Sequence, residues 1–482
     1  MRGGRPGPVM IRACCVAAVG ALVSLFPQSA FAAAALDGAA LSWPWALPFL
    51  GILASIAIGP LVFPKLWHDH YGKIAFVWCA LTLAPLAALH GTPTAFAAFA
   101  HTMLAEYKSF ILLLFALYTV AGGILVTGSF KGTPLTNTAI LALGTVTASI
   151  VGTTGAAMIL IRPLLAANAA RVHNVHVVIF FIFLVGNIGG ALTPLGDPPL
   201  LVGFLRGVDF FWTTQHLLHE TALVAGIVLF VFVVLDVWFY RQDRRVTVVG
   251  EVPVKEPFRV RGSVNFVLIA LIIVAILISA TWNPEKAWNV FGVILEVQDV
   301  ARDGALLVIT LASLMLTPRT HRAVNGFTWE PILEVIKLFA GIFICIIPVI
   351  AMMQAGRSGA FGWLFDLVSR GDGSPNNVAY FWLTGLMSAL LDNAPTYLVF
   401  YELTDGDAGT LMGPLGGTLA AISMGAVYMG ALTYIGNAPN FMIYAIAVER
   451  GVKMPSFFGY MAWACLVLIP IFVLLTYVSI WQ

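Results

Sequence analysis

The chain has 482 residues, of which 60% are hydrophobic and 10% are charged, and its formal net charge is +2 at pH 7. A soluble protein of this length has no core that could bury so much apolar surface, so the composition excludes a soluble globular protein and predicts a polytopic protein of the lipid bilayer. The small net charge indicates no nucleic-acid partner. The five cysteines, all in apolar runs, indicate neither a disulfide framework nor a thiolate metal site.

The N-terminal segment is typical of a secretory signal peptide. Three arginines precede an apolar run, and small residues form an A-x-A pattern that ends at Ala32. Because such segments are cleaved after the small residues, we predict a signal peptide over residues 1–32. An uncleaved anchor helix is the alternative, and both readings place the following residues outside the cytoplasm.

The first half of the chain, 46–240, is predicted to contain five membrane-spanning helices and one hairpin. About 20 apolar residues cross a bilayer, and Lys and Arg concentrate in cytoplasmic loops. The apolar segment 134–170 has basic residues at both ends, Lys131 and Arg171. This pattern predicts a re-entrant hairpin from the cytoplasmic side with its tip at 152–155, and one membrane-crossing helix is the alternative. The predicted helices lie near 46–63, 74–90, 108–128, 176–205 and 217–240.

The second half, 263–482, repeats this pattern with the opposite orientation. It follows the densest basic run of the chain, 241–262, which we interpret as a cytoplasmic linker. The apolar segment 375–403 has no Lys or Arg close to either end and is followed by acidic residues. It predicts a second re-entrant hairpin that enters from outside, with Asp392 and Asn393 at its tip. The predicted helices lie near 263–281, 304–317, 331–356, 414–447 and 457–481.

Two short motifs relate the halves. GALTPLGDPP at 190–199 and GALTYIGNAP at 430–439 are identical at six of ten positions, and residue 190 aligns with residue 430, 240 positions later. At the same spacing the first hairpin tip, Gly152, aligns with Asp392. Because one half begins outside and the other inside, we predict an inverted-topology repeat.

Both motifs break an apolar helix. Pro194 and Pro198 remove backbone donors, and Gly196 permits non-helical angles. In lipid, freed backbone groups are tolerated only around a protein-lined or wet cavity. The two breaks and the two hairpin tips are therefore predicted to meet near the membrane midplane as a binding site. Its polar residues would be Thr153, Thr154, Asn187, Thr193, Asp197, Asp392, Asn393, Thr396, Thr433, Asn437 and Asn440.

The stretches GTTGAAMILIRPLL, FFIFLVGNIGGALTPLGDPPLLVGFLRGV, LLDNAPTYLVF and IGNAPNF resemble the ion-transporter superfamily, in particular the NhaD-like sodium/proton antiporters and the similar citrate transporter family. The resemblance spans residues 108–450. It implies two inverted repeats with hairpins and discontinuous helices, an all-α fold, a homodimer and an elevator-like movement of substrate. It also implies that both hairpin tips and both helix breaks bind the substrate. The organic-anion branch has Ser-Asn-Thr at both tips, and neither tip of this chain has it.

Two carboxylates at the predicted site favour ion exchange. An ionised side chain near the bilayer centre costs roughly 2.5 to 3.5 kcal/mol on insertion scales, so Asp197 and Asp392 are expected to serve an ion or proton path. Oxygen ligands suit Na⁺, and a carboxylate shielded from water binds a proton more readily. A carboxylate that binds either ion but not both predicts exchange of Na⁺ or Li⁺ for H⁺. The alternative for each aspartate is a cap on a half-helix N-terminus.

Cation-coupled transport of citrate or another small anion is the second hypothesis, because half-helix N-termini attract anions. A membrane enzyme is disfavoured, since no Ser/His set or group of His ligands lies in mid-span. We expect no cofactor beyond the transported ions, and a multi-pass location in the inner (plasma) membrane.

Glu330, Glu334 and Lys337 share one helix face, which favours an interfacial ion pair over a proton entry path.

Overall fold

The structure of the chain is a computed structural model that describes residues 36–128, 131–246, 257–404 and 406–480. Among these residues, seven helices are long and apolar enough to cross a membrane, or eight if one bent pair counts as a single span. This confirms the predicted all-α polytopic membrane architecture. The predicted signal peptide at 1–32 and residues 247–256 of the predicted linker at 241–262 lie outside the described residues.

The described residues of the first half fold into nine α-helices. They are α1 (Leu47–Val62), α2 (Pro64–His90), α3 (Thr92–His101), α4 (Lys108–Ala121), α5 (Pro134–Val151), α6 (Thr153–Ala167), α7 (Val175–Leu184), α8 (Pro198–Leu205) and α9 (Trp212–Val246). A π-helical segment, Thr102–Tyr107, joins α3 to α4. Helix α2 begins ten residues before the predicted position 74, because Pro64 suits the first turn of a helix.

The second half folds into twelve α-helices among the residues described. They are α10 (Val264–Thr281), α11 (Val297–Leu316), α12 (Arg319–Val324), α13 (Glu330–Cys345), α14 (Ile347–Gln354), α15 (Gly362–Val368), α16 (Asn377–Leu390), α17 (Asn393–Glu402), α18 (Ala408–Met412), α19 (Gly416–Met429), α20 (Ala438–Glu449) and α21 (Phe457–Leu475). Helix α11 begins before the predicted position 304. Its first turns contain Arg302 and Asp303, which form a buried ion pair. Because these residues are charged, a search for apolar residues places the start of the helix after them.

Two small antiparallel sheets were not predicted. Strand β1 (Leu125–Thr127) pairs with β2 (Arg259–Arg261), so the end of α4 is tied to the start of the second half. The predicted helix to 128 therefore ends at Ala121, where two glycines lead into the strand. Strands β3 (Ala287–Val290) and β4 (Val293–Glu296) form a hairpin between α10 and α11.

The helices of the two halves correspond at the spacing of 240 residues. Helices α5 to α9 match α16, α17, α19, α20 and α21 in order. Equivalent contacts also recur, since α1 packs against α2 as α10 does against α11, and α2 packs against α13 as α11 does against α4. The predicted hairpins are the pairs α5/α6 and α16/α17, whose members pack against each other and are separated by one or two residues. We call them hairpin 1 and hairpin 2.

The helices form two groups that surround the site. The group that we call the core unit contains both hairpins together with α7, α8, α9, α19, α20 and α21. The group that we call the scaffold contains α1 to α4 and α10 to α14. Helix α7 is buried along its length from His176 to Leu184, which places it at the centre of the core unit. The core unit meets the scaffold where α4 packs against α6 and α8, and where α14 packs against α17.

Candidate functional site

The two hairpin tips share one backbone conformation. Hairpin 1 turns at Gly152, whose φ and ψ are 82° and 152°, and hairpin 2 turns at Asp392, where they are 91° and 137°. Glycine adopts these angles readily, but a residue with a Cβ is strained there. Strained residues of this kind cluster at functional sites, so the conformation of Asp392 points to a use for its side chain.

The two helix breaks present equivalent residues to the same region. Asp197 precedes α8 and Asn437 precedes α20, with φ of −144° and −153° and ψ of 143° and 138°. Neither side chain caps the helix that follows it. The alternative prediction that Asp197 only caps the N-terminus of the following half-helix is therefore wrong. A cap does describe part of the role of Asp392, whose carboxylate accepts a hydrogen bond from the Ala394 backbone N–H at 3.3 Å.

The Asp197 carboxylate is the centre of the site. Its Oδ1 accepts hydrogen bonds from Thr153 Oγ1 at 3.1 Å and from Asn437 Nδ2 at 3.0 Å, and its Oδ2 accepts one from Asn393 Nδ2 at 2.5 Å. All four side chains belong to residues that are at most 1% exposed. The first helix break therefore supplies a buried carboxylate, and the second break and both hairpin tips each supply one side chain that donates to it.

This centre lies on the pseudo-two-fold axis of the repeat. Asp197 and Asn437 occupy equivalent positions, 240 residues apart, and they are directly hydrogen bonded to each other. Two equivalent residues can touch only where the axis that relates them passes between them. The site is thus symmetric in position but not in charge, because one half contributes a carboxylate and the other an amide.

Thr193 and Thr433 each form a hydrogen bond from a helix break to the hairpin of the same half. Thr193 donates a hydrogen bond to the Ser149 carbonyl, and Thr433 donates one to the Ala389 carbonyl at 2.5 Å. Donors and acceptors are both related by 240 residues. These bonds hold the geometry of the site, and neither hydroxyl is directed at the Asp197 carboxylate by its observed bond.

Three further predicted residues satisfy backbone groups around the site. Asn440 Nδ2 donates to the carbonyls of Gly430 and Thr433 at 2.9 and 3.1 Å. Asn187 Nδ2 donates to the Ile182 carbonyl at 2.9 Å and to Asn440 Oδ1 at 2.7 Å. Thr396 Oγ1 donates to the Asp392 carbonyl at 2.8 Å. They supply the partners that a broken helix in lipid requires.

A cavity of about 470 Å³ opens from this centre. Thr154 and Asp392, both predicted site residues, lie on its wall. Among the described residues on the wall there is no Lys or Arg, and His68 is the one histidine. The carboxylates on the wall are Asp197, Glu330, Glu334, Asp392 and Glu449. The cavity wall therefore carries five acidic side chains and, among the described residues, no Lys or Arg to neutralise them.

The part of the cavity around Glu330 and Glu334 contains contacts that the sequence did not indicate. Trp67 Nε1 donates to Glu334 Oε1 at 3.2 Å, and His68 Nε2 lies 3.5 Å from Glu330 Oε1. Lys337 lies over the ring of Tyr71, 4.8 Å from its centroid, and forms no ion pair with either glutamate. The expected interfacial pair with Lys337 is therefore wrong, and both glutamates face the cavity instead.

The mouth of the cavity lies on the side predicted as cytoplasmic. Glu330 and Glu449 are wall residues that are exposed at the protein surface, and each is next to a segment with the basic residues that mark the inside. The structure thus corresponds to an inward-facing state under the predicted topology. Among the described residues, no group of three or more His, Cys, Asp or Glu is placed to hold a metal ion. The cation ligands at this centre would be one or two carboxylates with neighbouring amide and hydroxyl oxygens.

Comparison with known proteins assigns the family. Residues 38–480 match a family model described as "Putative citrate transport". The chain belongs to this family. It is also similar to Uncharacterized transporter Mb2703 of Mycobacterium bovis and Uncharacterized transporter Rv2684 of Mycobacterium tuberculosis, each 24% identical over 370 residues that cover 71% of this chain and 79% of the relative.

The family assignment confirms the resemblance to the ion-transporter superfamily that the motifs at the breaks and tips indicate. It also confirms the expectation that this protein is not an enzyme. The molecule is a multi-pass membrane transporter whose two helix breaks and two hairpin tips converge on one buried carboxylate.

Proposed function

We propose that this transporter exchanges Na⁺ or Li⁺ for H⁺ across the inner membrane, with Asp197 as the carboxylate for which the two ions compete. The observation that supports this most strongly is the charge of the cavity. Its wall carries five carboxylates and, among the described residues, no Lys or Arg. Such a cavity concentrates cations and repels anions.

The surroundings of Asp197 suit a hard monovalent cation. Asn393 donates to Asp197 through Nδ2, while its Oδ1 is buried and has no hydrogen-bond partner. A buried amide oxygen without a partner destabilises the folded protein unless it binds a donor or a cation. Together with the Asp197 carboxylate and the Thr153 hydroxyl, it provides an all-oxygen ligand set for Na⁺.

Competition between Na⁺ and H⁺ for Asp197 would make the protein an antiporter. A proton on the carboxylate removes the negative charge that a sodium ion requires, and a bound sodium ion disfavours protonation. A site that carries one ion in each direction couples their movements. Asp392, which lies on the wall of the same cavity, adds a second negative charge near the path of the ion.

Alternating access is proposed to follow from movement of the core unit against the scaffold. Inverted repeats permit this because exchanging the conformations of the two halves turns an inward-facing site into an outward-facing one. We also propose a homodimer, in which a fixed scaffold pair would carry the two moving core units.

Cation-coupled transport of citrate or a related small anion is the second candidate. The family description favours it, and so does the convergence of half-helices α6, α8, α17 and α20, whose positive N-termini meet at the site. A multivalent anion would nevertheless face several carboxylates and would enter only after cations had neutralised them.

The test is reconstitution in liposomes that contain a pH-sensitive dye. External Na⁺ or Li⁺ is expected to drive protons out of the liposomes, whereas K⁺ or citrate alone is not. Asp197→Asn should abolish this flux, because the amide keeps the shape of the side chain but neither binds a proton nor supplies the charge. Asp299→Asn, the same substitution at an ion pair on α11, is the control and should retain the flux. Sodium-dependent citrate uptake without proton movement would instead support the second candidate.

A further inference from the structure

A cluster of charged residues lies at the opposite end of the molecule from the cavity mouth. Arg206, at the C-terminus of α8, forms an ion pair with Glu402 at the C-terminus of α17 and a second one with Glu106, whose Oε2 lies 3.0 Å from Arg206 Nη2. Gln354 Nε2 donates to the other oxygen of Glu402 at 3.3 Å. The four side chains form one connected polar network.

This network crosses the boundary between the core unit and the scaffold. Arg206 and Glu402 belong to the core unit, whereas Glu106 lies in the π-helical segment Thr102–Tyr107 of the scaffold and Gln354 ends α14. The side chain of Glu402 is 1% exposed, that of Arg206 is 18% and that of Glu106 is 24%. Such shielded pairs are strong when complete, and breaking one costs far more than breaking a surface pair.

The position equivalent to Glu402 in the first half has no comparable ion pair among the described residues. Glu402 aligns with Arg162, which lies 240 residues earlier on α6. Glu449 and Arg450 are charged neighbours of Arg162, but among the described residues no carboxylate lies within 4.0 Å of it. Ionic closure is thus present at the predicted outer end, and the cavity is open at the inner end.

We propose that Glu106, Arg206 and Glu402 form an outer latch that holds the core unit in the inward-facing state and opens when the site turns outward. The inference rests on the proposed alternating access. The core unit cannot move against the scaffold without separating Arg206 from Glu106. Glu402 moves with Arg206, so the guanidinium keeps one carboxylate partner during the movement and is never left buried and unpaired. Two acids around one arginine therefore make the latch strong and also reversible.

Accessibility from outside tests the latch without any transported ion. Val349 is buried on α14, the scaffold helix that packs against α17, so a cysteine there is expected to react faster with an external reagent when the core unit moves away. The experiment uses Val349→Cys in a chain whose five native cysteines are replaced by alanine. A membrane-impermeant maleimide is added from outside, and the labelling rate is measured.

Glu106→Gln removes the charge from the scaffold side of the latch and leaves the Arg206–Glu402 pair in place. It is expected to raise the labelling rate about fivefold or more, the lower end of ordinary conformational coupling. Asp299→Asn breaks an ion pair within α11 and should leave the rate unchanged. An unchanged rate in Glu106→Gln, or an equal rise in the control, would overturn the proposal.

If Glu106→Gln does not purify as a monodisperse protein, Glu106→Asp keeps the charge on a shorter side chain that lengthens the contact with Arg206. A smaller rise is then expected, with the same control unchanged, and no rise would overturn the proposal. Because the readout is labelling rather than flux, the latch can fail while Na⁺/H⁺ exchange is confirmed. The reverse can also occur.

Discussion

Replacing Asp392 by glycine or by alanine separates the strain at the second hairpin tip from the loss of its carboxylate. Both substitutions remove the same charged group and the same hydrogen bond to Ala394. They differ only in the Cβ atom. With φ of 91° and ψ of 137°, the backbone lies where glycine is relaxed and other residues are strained by about 1–3 kcal/mol.

Asp392→Gly is therefore expected to be more stable than Asp392→Ala by about 1–3 kcal/mol. The sign is diagnostic, because in an ordinary helix or strand alanine is the more stable of the two by roughly 0.5–1 kcal/mol. Gly152→Ala is the matched variant at the equivalent tip, where φ is 82°, and should lose a similar amount. Both Asp392 variants should lose ion exchange, because neither retains the carboxylate.

The assay is thermal unfolding of the purified variants in one detergent, with flux measured on the same preparations. The difference corresponds to about 1–4 °C in apparent melting temperature, since larger proteins shift less per kcal/mol. An Asp392→Ala protein as stable as Asp392→Gly would show that the tip does not hold this strained conformation. Full exchange activity in either variant would remove Asp392 from the mechanism.

Three other predictions follow from contacts away from the tip. Glu334→Gln should raise the Na⁺ concentration that gives half-maximal flux, because a carboxylate is lost from the cavity wall, and the effect should shrink at high ionic strength; equal values at low and high salt would contradict it. Asp236→Asn should destabilise the protein by about 1–3 kcal/mol, because Arg171 Nη1, 2.5 Å from Asp236 Oδ1, would lose one of its two buried carboxylate partners and keep Asp243, and thermal unfolding at an unchanged temperature would refute this. Cysteines introduced at Arg241 and at Asp407 should label from the cytoplasm and from outside respectively, and labelling of both from one side would disprove the predicted topology.

Several features of the site could be predicted from the sequence because they depend on local chemistry. Pro194, Pro198 and Gly196 cannot continue a helix, so the position of the first break is encoded where it occurs. The spacing of 240 residues then fixes its equivalent and aligns Gly152 with Asp392. Polar residues at the two breaks and the two hairpin tips lie in apolar sequence, so they are expected to find their hydrogen-bond partners in one another.

Other features depend on contacts between distant segments and leave no local pattern. Trp67 and Glu334 are far apart in the sequence and meet on the cavity wall only because α2 packs against α13. Lys337 has the spacing of a helical ion-pair partner, but the ring of Tyr71 from the neighbouring helix attracts it instead. The start of α11 was missed for a related reason, since its charged residues pair with each other inside the protein.

Proton release on addition of Na⁺ tests most directly whether the two ions compete for Asp197. Purified transporter in detergent and very weak buffer is mixed with Na⁺, Li⁺, K⁺ or citrate, and the pH of the solution is followed with an indicator dye. We expect Na⁺ and Li⁺ to release protons from the parent protein and from Asp299→Asn, and to release none from Asp197→Asn. Equal release from Asp197→Asn, or release by citrate alone, would contradict the assignment of this carboxylate as the shared site.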